Sequence, residues 1–276
     1  MLQKWIIGLV GCVFLYFLNV TVASAEKKQS PLCPSQNSGE EATFIVVDRV
    51  MNGSFPSTTS ITEYSFIGPV GRKMLIGGLL TDVTRTPCKT TYYGVASQDV
   101  FSITSKGTLE PLILSSRLPK LSWTTGIAFD ARRNRVIIST LGGEGYLYAY
   151  RPQTHRWSLV ASLKNIDLGA IAYLPKYDRI YGVGHTLTSD PNSIVFYYYT
   201  PTGRLVDRLS LGISLAHSTI HSFQLVPYGD RLVFLYDGDA SPDSGISPEQ
   251  CLVIDPRAST AQKCLLKREE KNGRAY

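Results

Sequence analysis

Between residues 125 and 163 the apolar and polar positions follow a fixed order. A short apolar run, Gly126-Ile127-Ala128-Phe129, leads into the turn Ala131-Arg132-Arg133-Asn134 and then a β-branched run from Arg135 to Thr140. A glycine-rich loop follows, then the aromatic run Tyr146-Leu147-Tyr148-Ala149-Tyr150, a turn opened by Pro152, and a last run over 156–163. None of these runs has a helical period, and each is short and bounded by turn residues, so the segment predicts four consecutive strands. The order then restarts. Ile127-Ala128-Phe129 returns as Ile171-Ala172-Tyr173 and Arg135-Val136 as Arg179-Ile180, both at an offset of 44 residues. A fixed offset of this size marks a repeated supersecondary unit.

A third unit runs from His221 to Lys267, with a long loop over 237–249 before its third strand. A looser one is read ahead of them, taking 62–67 and 72–79 as its first two strands, 81–93 as a loop, and 99–104 and 108–114 as its last two. The turns repeat as well. Pro152, Pro201 and Pro256 open the turn between third and fourth strands, where a preset φ suits the second turn position. Arg72, Arg135, Arg179 and Arg231 begin the second strands. Four-strand units in series predict an all-β protein, a β-propeller of four-stranded antiparallel blades; a sandwich or barrel would not demand the same turn chemistry in each unit. The count is four or five, depending on whether the extra strand at 42–50 belongs to a further blade. The wording of the blades, such as YYYTPTGRLVDRLSL over 197–211, resembles the broad superfamily of NHL, TolB, YncE and SMP-30-type propellers. That resemblance implies the fold and no particular function.

The two ends divide from the repeat. Residues 1–25 have the three parts of a secretory signal: Lys4, an apolar stretch from Trp5 to Leu18, and Ala23-Ser24-Ala25 at the cleavage position. Leu9-Val10-Gly11-Cys12 also fits a lipoprotein box, and Trp5 to Ala25 approaches the length of a membrane anchor. Residues 26–41 form a polar N-terminal segment, and 42–276 is expected to be one propeller domain, secreted or periplasmic. The full chain carries a formal charge of +6, or +5 without Lys4. That balance suits an anionic surface and gives no reason to expect nucleic acid.

Four cysteines remain after the leader: Cys33, Cys88, Cys251 and Cys264. An even number in an exported chain predicts two disulfides. If the last hairpin turns between Arg257 and Ala258, Asp255 faces Thr260 and Cys251 faces Cys264, near disulfide geometry. Cys33 would then pair with Cys88.

In a propeller of this order the blade connections and the loops between second and third strands open on one face. That face would gather His185, His217, His221, Glu144, Asp167 and Trp123. It would also carry the acidic loop with Asp237, Asp239 and Asp243, a weak candidate for a metal, since Ser241 and Pro242 stand where a calcium loop wants other residues. No phosphate loop, nucleophile elbow or paired-histidine zinc motif occurs. Two functions follow. The first is a binding or scaffold protein recognising a protein or glycan through the loop face, with no cofactor. The second is a hydrolase or lyase using a divalent metal held by the histidines at the mouth of the central channel.

Overall fold

A computed structural model describes residues 43–52, 55–66, 68–71, 73–87, 91–112, 123–141, 145–186, 194–211, 223–236 and 250–265. They form five antiparallel sheets of four strands each, the blades of a β-propeller. Blade 1 is β1 (Phe44–Asn52), β2 (Phe55–Ser65), β3 (Gly68–Pro69) and β4 (Met74–Ile76). Blade 2 is β5 (Asp82–Arg85), β6 (Tyr92–Ala96), β7 (Asp99–Ile103) and β8 (Leu109–Pro111). Blade 3 is β9 (Trp123–Asp130), β10 (Arg135–Leu141), β11 (Tyr146–Arg151) and β12 (Arg156–Ser162). Blade 4 is β13 (Ile166–Leu174), β14 (Arg179–Thr186), β15 (Val195–Tyr199) and β16 (Leu205–Leu209). Blade 5 is β17 (Phe223–Tyr228), β18 (Arg231–Tyr236), β19 (Gln250–Asp255) and β20 (Thr260–Leu265).

The three later units fall on blades 3, 4 and 5 as the repeat predicts. The looser first unit does not. Its first two runs belong to blade 1 and its last two to blade 2, and the span read as a loop at 81–93 holds β5 and the start of β6. β5 is only four residues long and its sequence, Asp-Val-Thr-Arg, contains one aliphatic residue, too little for a hydrophobic pattern to register. The strand at 42–50 is β1, and it makes the fifth blade.

Blade 1 is built differently from the rest. β3 and β4 both pair with β2, at Tyr64–Ser65 and Thr59–Ile61 respectively, so together they fill one strand position and the blade is three positions wide. An odd width puts the first and last strands parallel. For the chain to leave β4 at the end where β5 begins, β1 must therefore run opposite to the inner strands of the other blades. It does. Phe44, at the start of β1, packs edge-on against Tyr228 at the end of β17, with ring centroids 5.9 Å apart. Three residues on, the Val47 amide donates to Gln224 Oε1 at the start of β17.

Hydrophobic burial explains the β-branched runs. There are five apolar clusters, one at each seam between neighbouring blades. In β10, Val136 and Ile138 face blade 2 while Ile137 faces blade 4. Both faces of a middle strand are buried, so it reads as a continuous apolar run. Gly126 stands where two inner strands come closest: a Cβ there would lie 2.7 Å from the Ile171 amide. The repeated turns also behave as read. His155, Gly203 and Ser259, the last residues of the turns opened by Pro152, Pro201 and Pro256, all take positive φ, at 50°, 84° and 52°. Gly203 has a second constraint, because a Cβ would come within 2.4 Å of Ala161 in blade 3.

The β19–β20 hairpin has the expected register. Asp255 faces Thr260 and Cys251 faces Cys264, with a disulfide between the cysteines and Cα atoms 5.1 Å apart. Cys33, Cys88 and the segment 1–42 lie outside the described residues.

Candidate functional site

Three levels along the propeller axis hold the residues of interest. The first is the end at which β5, β9, β13 and β17 begin. Trp123 is the first residue of β9 and is 63% exposed. Its neighbour Thr124 is buried and fixes the strand end, donating from both its amide (2.6 Å) and its hydroxyl (2.7 Å) to the Ser97 carbonyl of blade 2. The Thr125 hydroxyl donates across to the Leu168 carbonyl of blade 4 at 2.7 Å. Beside Leu168, Asp167 stands directly opposite His185 in the β13–β14 ladder, with Nε2 and Oδ2 3.9 Å apart. The structure thus brings Asp167 and His185 together and puts Trp123 at the same end of the adjoining blade. His217, His221, Glu144, Asp237, Asp239 and Asp243 lie outside the described residues. Among the described residues no three His, Cys, Asp or Glu side chains gather as a metal would require.

The second level is a polar knot around the axis. Asp82 opens β5, within the span read as a loop, and is 1% exposed. Its carboxyl accepts hydrogen bonds from the Val83 amide (2.8 Å) and, across the seam, from the Ile127 amide (3.1 Å). Gln224, 3% exposed, spends its Oε1 on the Val47 amide, which turns its Nε2 toward Asp82. Four of the five inner strands meet here. Desolvation pushes the Asp82 carboxyl up to about 8 against the opposing pull of the two amides and Gln224.

The third level is a cavity of about 270 Å³ at the opposite mouth of the channel, lined by all five inner strands. Its walls are apolar: Phe44, Val83, Ile127, Ile171 and Leu225 contribute, and Arg85 is the one charged side chain among the lining residues. That charge is neutralised within the seam. Arg85 Nη1 lies 2.5 Å from Glu63 Oε1, and Nη2 donates to the Thr43 hydroxyl at 2.8 Å. The cavity was not foreseen from the sequence, yet its signal is the repeat itself: Ile127-Ala128-Phe129 and Ile171-Ala172-Tyr173 both line it.

The basic turns at this end are partly neutralised. Arg133 is paired with Asp130 and Asp178, and Lys176 with Asp230. Arg135 is buried on Asp130 (2.9 Å) and reaches the Pro201 carbonyl of blade 4, so this second-strand arginine ties two blades together.

No protein-family model matches the chain, and no curated protein matches it in sequence. Solved structures share the fold. A chain in the crystal structure of a nidogen/laminin complex superposes with a TM-score of 0.53 at 10% identity, covering 82% of this chain and 94% of that one. TolB from Acinetobacter baumannii superposes with a TM-score of 0.52 at 13% identity, over 82% of this chain and 53% of that one. This chain therefore spans about half of the TolB chain. At these identities the likeness is one of fold alone, the β-propeller.

Proposed function

We propose that this protein is an exported propeller that binds a protein partner through the end bearing Trp123, Asp167 and His185. The observation that carries this reading is Trp123 itself. An indole 63% exposed at the start of an inner strand leaves most of its apolar surface in water. Tryptophan in that position is the side chain most enriched at the energetic centres of protein interfaces. The pair Asp167–His185 lies at the same end of the adjoining blade, largely buried. Of the two partner classes left open by the sequence, protein is favoured because the nidogen/laminin structure holds a propeller in a protein complex. Export is supported by the leader-like residues 1–25 and by the Cys251–Cys264 disulfide.

The test compares two ends of one molecule. Tagged wild-type protein, Trp123→Ala and Arg204→Ala are used to recover binding proteins from the fluid into which the chain is exported. Arg204 is exposed in a turn at the opposite end. A partner identified by mass spectrometry and lost with Trp123→Ala but kept with Arg204→Ala supports the reading. Equal recovery by all three contradicts it.

A further inference from the structure

We infer that a groove between blades 2 and 3, at the end away from Trp123, is a binding site for a neutral saccharide of one or two rings. The groove has a volume of about 660 Å³ and is separate from the axial cavity.

Two buried tyrosines form its floor. Tyr93 is 6% exposed and its ring lies parallel to Phe129, centroids 6.3 Å apart and planes within 6°. Tyr150 packs on Trp157 at 5.0 Å. Both rings are fixed by the blade 2–blade 3 core, and both residues line the groove. They differ in one respect. Tyr150 shares a hydrogen bond with His155 Nδ1 at 2.9 Å. Tyr93, otherwise enclosed, has no hydrogen-bond partner for its hydroxyl among the described residues. Burial raises both phenols, so each stays protonated and able to donate at neutral pH.

Around this floor the groups alternate in kind. Glu110 offers a carboxylate, one oxygen of which takes the Ser102 hydroxyl at 3.3 Å. With Nδ1 engaged by Tyr150, His155 presents Nε2 as its remaining polar atom. Leu112 and Pro152 supply apolar wall. This mixture argues against two ligand classes. An anion would meet Glu110, and an apolar molecule would bury the Tyr93 hydroxyl without a partner, which costs about 1–3 kcal/mol. A saccharide hydroxyl both donates to a carboxylate and accepts from a phenol, and the C–H face of a pyranose suits proline, leucine and tyrosine walls. The volume lies in the range of small-molecule sites.

The site does not rest on the function proposed above, and the two can fail separately, since Trp123 lies at the other end. The experiment is saturation-transfer NMR of the mature protein with glucose, galactose, N-acetylglucosamine, maltose and cellobiose, each alone. Transfer to at least one sugar is expected. Tyr93→Phe should weaken that binding at least tenfold while leaving the unfolding midpoint unchanged, because the lost hydroxyl has no internal partner. His155→Ala should weaken it as well and Trp123→Ala should not. Absence of transfer to every sugar overturns the inference, as does binding by Tyr93→Phe equal to wild type.

Discussion

Arg133 and Asp178 occupy the first hairpin turns of neighbouring blades, 45 residues apart, and meet at two points: Nη1 to Oδ1 at 2.7 Å and Nη2 to Oδ2 at 2.8 Å. The contact recurs one blade on, where Lys176 lies 2.6 Å from Asp230. In both cases the acid immediately precedes the arginine that begins the second strand. Two ion pairs, spanning 45 and 54 residues of sequence, thus tie the first hairpin turns of blades 3 and 4 and of blades 4 and 5 at one end of the propeller. A double-mutant cycle on Arg133→Leu and Asp178→Asn should give a coupling below about 1 kcal/mol, reduced by salt, because the pair is partly solvated. Arg133 holds the Asp178 carboxyl well below the usual carboxylate range. The coupling is therefore complete at neutral pH and is lost only as pH falls below about 4, the unfolded value. Denaturant unfolding at pH 7 and at pH 3 checks both statements.

Asp82 has the opposite sign. Its folded carboxyl is raised to about 8, so its contribution to stability is present in full below the unfolded value of 3.8 and declines as pH rises toward 8. Asp82→Asn cannot ionise. The stability difference between wild type and Asp82→Asn should shift against wild type from pH 4 to pH 8 and then level off, as measured by urea unfolding at several pH values. A difference independent of pH would mean that the carboxyl is solvated or already ionised.

Tyr148 and Tyr199 are fully buried and their hydroxyls have no hydrogen-bond partner among the described residues. A phenol desolvated without a bond is a cost, so replacing it by phenylalanine removes a penalty while keeping the ring. Tyr148→Phe and Tyr199→Phe should each be neutral or raise Tm by about 2–4 °C, equivalent to about 1 kcal/mol. A drop in Tm for either would show that its hydroxyl is bonded.

Cysteine pairing separates a hairpin reading from a long-range one. Peptide mapping without reduction should recover Cys251 joined to Cys264, as the hairpin register places them. The remaining pair is expected to be Cys33–Cys88. Cys33 linked to Cys264 would contradict the last blade.

Blades 3 to 5 were legible because their middle strands are buried on both faces and their turns need special residues at fixed places: Pro152, Pro201 and Pro256 announce them. Blade 2 was hidden by Asp-Val-Thr-Arg, whose one carboxylate is held by backbone amides and not by a hydrophobic pattern. Blade 1 was hidden by its odd width, since the reversal of β1 follows from pairing parity and leaves no mark on composition. The Cys251–Cys264 register followed from counting alone. The nearness of Asp167 to His185 depends on the bulge between Leu168 and Ala170 in β13, which no periodicity foretells.

The central claim is that the Trp123 end is a recognition surface. It is tested most directly by placing a photo-activatable phenylalanine analogue at position 123 in the chain expressed in its native setting, with the same analogue at position 204 as the opposite-end control. Irradiation should give one discrete covalent adduct to a protein from position 123 and none from position 204. No adduct from position 123, or the same adduct from both, would contradict the claim.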